Sequence, residues 1–192
     1  RYLIYIFSMY ETSLFERLQK KSAILGVDQP FVGLVASILE QKLCLFLDGT
    51  RLKEYVMSSS KRSPSCEENS LGTPWGLHEV CEKIGSDAVS GMVFKGRKPT
   101  GKRYCEYSNE EQAKNLITSR ILRLRGLEDG VNAGGNKDTF SRYVYVHGTN
   151  HEEAIGSPAS SGCLQLNNID VIELFDSVPV GTFLLIDNEQ DP

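Results

Sequence analysis

The first regular alternation of apolar and polar positions in the chain is that of one amphipathic helix. Over residues 13–24, apolar side chains recur every three or four positions among charged ones, and Gly26 follows as a stop signal. The apolar run at residues 2–9 is far shorter than the roughly 20 residues of a membrane helix, so a first core strand or helix is its plainer interpretation. We therefore predict a helical N-terminal extension over residues 1–30.

Beyond residue 30 the pattern changes to short apolar runs with the composition of β-strands. Such runs are found at residues 31–38, 43–47, 52–57, 76–84, 116–124, 142–146 and 181–186. Asp48 and Gly49 are predicted to form a hairpin turn between the second and the third run. A helix is predicted at 168–175, and the polar segment 58–72 is predicted to be a solvated loop. The pattern thus indicates a mostly β domain with few short helices over residues 31–192.

Composition and charge narrow the class of protein. The 192 residues suffice for one substantial hydrophobic core, and a hydrophobic share of 40% with a charged share of 24% is typical of a globular chain. Lys and Arg number 21 against 25 Asp and Glu, which gives a net charge of −4 and no electrostatic attraction to nucleic acid. Because the chain begins with Arg1, we expect that a signal peptide or a membrane anchor precedes it.

The five cysteines are an odd number, so at least one thiol stays unpaired within a single chain. No two of them form a Cys-x-x-Cys pair, which argues against zinc ribbons and thioredoxin-like sites. Cys44 alternates with leucines and is expected to be a buried, inert thiol. Cys66 and Cys105 lie in polar segments and could pair in an oxidising compartment. The cysteine count alone therefore leaves the redox compartment open.

Cys163 lies in a setting that favours nucleophilic chemistry. A cysteine attacks as its thiolate and is activated by a neighbouring imidazole that takes its proton. His147 ends a predicted Tyr/Val strand sixteen positions earlier, so a strand and loop return can bring both side chains to one cleft. Gly162 permits a sharp turn and leaves backbone N–H groups open, as an oxyanion site requires. A free cysteine is also a common core residue, so the pair alone leaves a structural thiol as an alternative.

A metal site is another interpretation of the same region. His147, His151 and Cys163 could in principle bind zinc. The His-x-x-x-His spacing brings two imidazoles together only on a helix, however, and Gly148 after a Val/Tyr strand argues against a helix. We therefore predict that the chain binds no metal and no other cofactor.

A longer pattern surrounds His147 and Cys163. It comprises His147-Gly-Thr149, Ile155-Gly156, Ser160-x-Gly-Cys163, Asn168-x-Asp170-Val-Ile-Glu-Leu-Phe175 and Val178-Pro-Val-Gly-Thr182. In order and spacing, this pattern resembles the signature half of the L,D-transpeptidase (YkuD-type) family. Upstream, Gln41, Thr73-Pro-Trp-Gly76 and the strands that lead to His147 resemble further parts of the same family. The resemblance spans residues 31–186.

The resemblance implies an L,D-transpeptidase-like β-sandwich or barrel that transfers acyl groups without a cofactor. Cys163 would be the nucleophile, His147 the base, and the backbone of Gly162 and Cys163 the oxyanion site. The donor would be a peptidoglycan tetrapeptide, cut after the L-centre of its diaminopimelate with loss of the terminal D-alanine. An amine or water would then resolve the acyl-enzyme. Carbapenem-type inhibitors and a location in the cell envelope or periplasm are also implied.

Two of the expected substrate-binding positions depart from the family pattern. The expected set is Ser160, Ser161, Gln165, Thr149 and Trp75. Most family members carry His where this chain has Ser161, and Arg or Asn where it has Gln165. Loss of a cation or a planar donor there could weaken stabilisation of the thiolate or binding of a substrate carboxylate. Trp75 could instead cap the core, and Thr149 could either orient His147 or satisfy its own turn.

Three kinds of function are therefore compatible with the sequence. The first is an L,D-transpeptidase, or a related L,D-carboxypeptidase or amidase, that acts on peptidoglycan stem peptides. The second is a non-catalytic murein-binding module that keeps the fold after the changes at Ser161 and Gln165. The third is a cytosolic cysteine amidase or acyltransferase. The reactivity of the Cys163 thiol and the presence of an export signal would separate them.

Overall fold

The computed structural model describes residues 14–26 and 32–188. The strands in these ranges are β1 (Val32–Ser37), β2 (Lys42–Leu47), β3 (Thr50–Val56), β4 (Gly76–Ile84), β5 (Met92–Lys95), β6 (Lys98–Arg103), β7 (Ile117–Gly126), β8 (Tyr145–Thr149), β9 (Leu164–Leu166) and β10 (Phe183–Asp187). The α-helices are α1 (14–24), α2 (Asn109–Gln112) and α3 (Asn168–Ser177). None of the helices in the described ranges is long and apolar enough to cross a membrane.

The ten strands of the described residues form one mixed sheet. Its order is β3-β2-β1-β10-β4-β7-β5-β6, and β8 and β9 are added through β7. Among the described strand pairs, only β1 with β10 and β8 with β9 are parallel. Strand β7 has β4 and β5 along one edge and β8 along the other. The predicted mostly β class is confirmed, and β9 lies at the end of a branch, beside β8.

Helix α1 packs against one face of the sheet. Phe15 and Leu18 are buried among side chains of β1 and β2. Gly33 makes room for the helix, because a Cβ atom there would approach Leu18 to 2.5 Å. Arg17 adds an ion pair of 2.6 Å with the buried Asp187 of β10. The predicted helix is thus confirmed, and both apolar packing and charge attach it to the sheet.

Parts of the predicted extension lie outside the described residues. These parts are residues 1–13, which include the apolar run at 2–9, and residues 27–30. The division of the chain into an extension at 1–30 and a domain at 31–192 therefore stays a prediction.

Helix α3 covers the opposite face of the sheet. Its Val171, Leu174 and Phe175 are buried, as the sequence predicted. They share the main hydrophobic core with Val146 of β8 and Leu164 of β9. Because side chains alternate between the two faces of a strand, His147 points to the other face of β8, where Tyr145 packs against Phe94 and Ile121.

The segment 58–72 is solvated only in part, so the prediction of a solvated loop is corrected for its buried positions. Residues 61–63, 67–69 and 71 are exposed, as predicted. The first three residues of the segment, all serines, are buried. Ser58 forms an isolated bridge with Gln165, and Ser60 forms one with Ser160. The polar composition predicted exposure, but the polar groups at the start of the segment are satisfied inside the protein. The segment thereby reaches the residues around Cys163.

Strand β8 begins and ends later than the predicted run at 142–146. It covers Tyr145–Thr149, so His147 lies in its middle and not at its end. Tyr143 has a φ angle of +57°, a left-handed conformation that interrupts the extended backbone before the strand begins. A run of Tyr and Val residues favours a strand, but it carries no signal for this local turn.

Candidate active site

The pairing of β8 with β9 brings the two candidate catalytic side chains to one face of the sheet. Val146 pairs with Leu164 and His147 with Gln165, in parallel register. Val146 and Leu164 are fully buried in the main core. His147 therefore lies on the opposite face. Cys163 directly precedes β9 and packs on that face against the cluster that contains Tyr145, two positions from His147 in register.

A tight turn sets the position of Cys163 just before β9. Gly162 has a φ angle of +123°, a conformation that favours glycine. Its N–H donates to the Ser160 hydroxyl oxygen at 3.2 Å, and that hydroxyl donates to the Cys163 carbonyl at 2.6 Å. Ser160 thus shapes the turn from within. The Ser160 hydroxyl thus occupies the Gly162 N–H. Of the predicted oxyanion pair, the Cys163 N–H is the amide that this hydroxyl leaves open.

The Cys163 thiol is sheltered and hydrogen-bonded to the backbone that precedes β8. The Tyr145 N–H donates to Sγ at 3.4 Å, and Sγ donates to the Tyr143 carbonyl at 3.7 Å. Burial raises the pKa of this thiol to about 11, although the Tyr145 N–H and the Arg142 charge act in the opposite direction. The resting nucleophile is therefore a neutral thiol near pH 7.

His147 is a neutral imidazole with a fixed tautomer. It is buried, and burial lowers its pKa to about 4. Its Nδ1 lies 2.7 Å from the Gly148 carbonyl. A carbonyl only accepts, so Nδ1 carries the proton and Nε2 keeps the lone pair. Among the described residues, His147 and Cys163 are not hydrogen-bonded to each other, so proton transfer requires Sγ to turn away from the Tyr143 carbonyl.

Cys163 opens into a cleft of about 300 Å³. Ser161 and Gly162 line it beside Cys163, Arg142 and Tyr143 form a second part of its wall, and Leu71 belongs to a third. The segment that the sequence placed in solvent therefore supplies one wall of the cleft. A space of this size suits a short peptide segment, with the thiol at its lining.

Arg142 is a cleft residue that the sequence reasoning did not select. Its side chain is half-buried and donates to the Ser65 carbonyl at 3.0 Å and the Gly72 carbonyl at 2.8 Å. Its positive charge acts to lower the pKa of Cys163. The sequence offered one signal, a basic residue directly before the Tyr/Val run that leads to His147, but nothing in that signal showed the direction of the side chain.

Three of the predicted substrate-binding residues lie outside the cleft lining. Gln165 is buried, and its amide donates to Asn115 Oδ1 at 3.4 Å. Thr149 is buried and accepts the His151 N–H at 3.1 Å, which is the turn-satisfying role. Trp75 is partly buried, and its carbonyl accepts from Cys66 Sγ. Of the five predicted residues, Ser161 lines the cleft and Ser160 shapes it.

The lining of the cleft does not include the other candidate residues, Cys44, Cys66, Cys105 and His151. The described residues contain no group of three His, Cys, Asp or Glu side chains that could hold a metal ion. His151 pairs with Glu153 at 3.2 Å. Cys66 is buried and Cys105 is exposed, and both are free thiols, so the hypothesised pair between them is not formed. Cys44 is buried, as predicted.

Comparison with known proteins defines the class to which this fold and site belong. Residues 32–186 match the family model of the L,D-transpeptidase catalytic domain, YkuD, so the chain belongs to that family. The chain is 43% identical over 53 residues to YqjB of Bacillus subtilis (strain 168), a match that covers 28% of this chain and 30% of the relative. It is 51% identical over 43 residues to ErfK/SrfK of Escherichia coli (strain K12), covering 22% of this chain and 14% of the relative. Both relatives carry L,D-transpeptidase in their names.

Solved structures agree with this fold. L,D-transpeptidase 3 of Mycobacterium tuberculosis, in complex with a faropenem-derived adduct, is similar at a TM-score of 0.52 and 17% identity. That match covers 84% of this chain and 62% of the solved chain. An L,D-transpeptidase from Xylanimonas cellulosilytica is similar at a TM-score of 0.51 and 19% identity, over 88% of this chain and 68% of the solved one. The matches to YqjB and ErfK/SrfK cover less than a third of each relative's length. The likenesses to the two solved structures support the fold.

Proposed function

We propose that this chain is a cysteine acyl-transferase that acts on peptidoglycan stem peptides, with Cys163 as nucleophile and His147 as base. One observation carries the proposal. Cys163 lines a cleft of about 300 Å³ and shares a sheet face with His147, whose Nδ1 is fixed on the Gly148 carbonyl. A neutral imidazole with a free Nε2 is the form that can take a thiol proton.

In the proposed reaction, the Cys163 thiol proton passes to His147 Nε2 as Sγ attacks the carbonyl carbon at the L-centre of diaminopimelate. The Cys163 N–H stabilises the oxyanion, and the Gly162 N–H joins it only by leaving the Ser160 hydroxyl. The C–N bond to the terminal D-alanine breaks, the leaving nitrogen takes the proton from His147, and a thioester on Cys163 remains. An acceptor amine or water then attacks the thioester and passes a proton through His147 to Sγ. The product is an amide cross-link or a free acid, and the thiol is restored.

The substrate and compartment follow from the same proposal. The family and the names of the relatives support a stem-peptide donor that contains diaminopimelate, and hence a role in peptidoglycan biosynthesis and cell shape. Such a donor is found in the cell envelope, so we place the active protein there, in the periplasm where one exists. Carbapenem-type inhibitors should acylate Cys163, since one related fold is solved with imipenem.

The decisive experiment is intact-protein mass spectrometry after incubation with imipenem. The unmodified protein should gain the mass of one inhibitor, and Cys163→Ala should gain none. Cys105→Ala is the matched control, because Cys105 is an exposed free thiol away from the cleft, and it should react like the unmodified protein. An adduct on Cys163→Ala, or no adduct on the unmodified protein, would contradict the proposal.

A non-catalytic murein-binding module is the second candidate, and the resting geometry of the thiol is compatible with it. The Cys163 thiol is held in its neutral form and bonds to the Tyr143 carbonyl instead of to His147. Mass spectrometry of muropeptides incubated with the protein separates the functions. Cross-linked products indicate transpeptidation, loss of D-alanine indicates L,D-carboxypeptidase activity, and unchanged muropeptides that co-purify with the protein indicate binding alone.

A further inference from the structure

Arg142 brings a positive charge to the Cys163 cleft, where Glu67 and Glu68 act on it electrostatically without pairing with it. Both residues line the same space, and Arg142 directly precedes Tyr143, whose carbonyl contacts the thiol. Within the described part of the chain, no carboxylate forms an ion pair with the Arg142 guanidinium. A half-buried cation that no ion pair holds is costly, so its presence beside a nucleophile points to an anionic ligand.

Neutral acceptors hold the guanidinium in place. Its Nη atoms donate to the Ser65 and Gly72 carbonyls at 3.0 and 2.8 Å and to the Ser70 hydroxyl at 3.3 Å. These contacts fix the orientation of the planar group without cancelling its charge. A fixed guanidinium with N–H groups to spare is the side chain best suited to a carboxylate.

The neighbouring arginines are committed to other partners. Arg97 donates to the Tyr145 hydroxyl at 3.3 Å, and Arg123 forms an ion pair of 3.3 Å with Glu82. Neither of them lines the cleft. Glu68 is the one carboxylate among the described residues that line it, and it would repel an anion. Arg142 is thus the cation that an anion in the cleft would meet.

We propose that Arg142 binds the free carboxylate of the donor's terminal D-alanine and thereby recognises the leaving group. The inference rests on the proposed function. In the donor, that carboxylate carbon lies three bonds from the carbonyl carbon that Cys163 attacks, so both groups must fit within one cleft. The chain carries the uncharged Ser161 and Gln165 at the two positions that depart from the family pattern. Arg142 supplies a cation beside Cys163 from a different position.

The test compares two donors that differ only at this carboxylate. One is the diaminopimelate-containing tetrapeptide with a free D-alanine carboxylate, and the other is its D-alanine amide. The unmodified protein should form the acyl-enzyme on the free acid with a kcat/KM about ten- to a hundredfold above that on the amide, as expected for a charge-assisted contact. Arg142→Gln should lose this preference by slowing the acid alone, and Arg142→Lys should keep part of it.

Two further variants control for general effects. Arg125→Gln removes an exposed arginine that pairs with Glu79 away from the cleft, so it should keep the acid preference. Glu68→Gln removes the opposing charge and should raise kcat/KM for the acid by about twofold. Arg142→Gln could loosen the segment that it holds, but a loosened cleft would slow both donors and leave their ratio unchanged.

Each outcome bears on a defined claim. Equal rates for acid and amide in the unmodified protein would overturn the role of Arg142 and leave the acyl-transferase proposal standing. An Arg142→Gln variant that slows both donors equally would assign Arg142 to support of the thiol or the segment and would also overturn it. Absence of any acyl-enzyme from either donor or from imipenem would remove both proposals together.

Discussion

At the scale of single residues, the surroundings of Cys163 keep its thiol protonated. Burial raises the pKa to about 11, so the thiolate fraction grows steadily through the neutral range. We predict that the logarithm of the Cys163 alkylation rate by iodoacetamide rises with a slope of about one from pH 6 to pH 10, without a plateau near neutrality. Peptide mass spectrometry should follow Cys163 itself, with Cys163→Ala as the background. A plateau below pH 8 would instead indicate a preformed thiolate–imidazolium pair.

This prediction changes how slow alkylation should be interpreted. From the sequence, a Cys163 that reacts slowly near neutral pH would favour a binding module over an enzyme. In the structure, slow reaction with a small reagent is expected in either case, because proton transfer to His147 must wait for the thiol to leave the Tyr143 carbonyl. Acylation by a bound donor or inhibitor is therefore the measurement that separates the two functions.

His147 sets the acid limit of the proposed reaction. Its imidazole must be neutral to accept the thiol proton, and its pKa is lowered to about 4 by burial. We predict that the rate of acylation falls only as the pH drops towards about 4, and not near 6.5 as it would for an exposed histidine. His147→Gln should lower the rate by about 10²- to 10⁴-fold at pH 7. An acid limb near 6.5, or an active His147→Gln protein, would contradict the assignment of His147 as the base.

At the scale of elements, Asn168, the first residue of α3, is hydrogen-bonded to both β7 and β8. The Asn168 side chain accepts from the hydroxyls of Thr118 and Ser119 in β7 and donates to the Thr149 carbonyl at 3.0 Å. We predict that Asn168→Ala lowers the free energy of unfolding by about 3 kcal/mol, because several buried groups lose their partners. Asn167 accepts the Asp170 N–H as a helix cap, and Asn167→Ala should cost about 1 kcal/mol. Urea unfolding measures both, and equal losses would contradict the ordering.

Elements with a local signature could be predicted from the sequence. The hairpin turn is confirmed, since Asp48 and Gly49 have φ angles of +48° and +78° between β2 and β3. The strand at 76–84 is also confirmed, with the predicted bounds. The burial of residues 58–60 could not be predicted in this way, because it depends on pairing with residues a hundred positions away. Composition reports polarity, whereas burial depends on whether distant partners satisfy it.

The candidate site was predictable to a similar extent. The Cys163 and His147 pair was found from residue types and spacing, and the structure places them on one face. Arg142 was missed, because its entry into the cleft depends on the left-handed turn at Tyr143 and on acceptors from a distant segment. Gln165 was selected by its place in the pattern, yet its strand position buries it. A pattern identifies positions, and side-chain direction comes only with the fold.

At the scale of the whole molecule, charge is distributed unevenly. The chain carries a net charge of −4, yet Arg97 and Arg123 both lie against the ring of Tyr143, at 5.0 and 5.3 Å, beside Arg142 in the cleft wall. Arg123 is paired with Glu82, so the positive field that an anionic ligand meets there comes mainly from Arg97 and Arg142. This distribution agrees with a donor that carries free carboxylates.

Two buried histidines make the whole fold sensitive to acid. His78 in β4 and His147 in β8 are both buried, and burial lowers the pKa of each to about 4. In the unfolded chain both imidazoles take up protons near pH 6.5, whereas in the folded chain they stay neutral down to about 4. Stability is therefore complete above about 6.5 and is lost as the pH falls towards 4, by about 3 kcal/mol for each histidine.

A histidine variant isolates this contribution from that of the carboxylates. His78 lies with Nδ1 2.9 Å from the Gly76 carbonyl and Nε2 3.1 Å from the Thr139 hydroxyl, contacts that an amide side chain can partly replace. We predict that His78→Gln is less stable than the unmodified protein at pH 7, and that the difference shrinks by about 2.5 kcal/mol between pH 7 and pH 4.5. Urea unfolding at several pH values measures the difference, with His151→Gln as a partly exposed control. A difference that stays constant with pH would mean that folding leaves the pKa of His78 unchanged, and it would contradict the prediction.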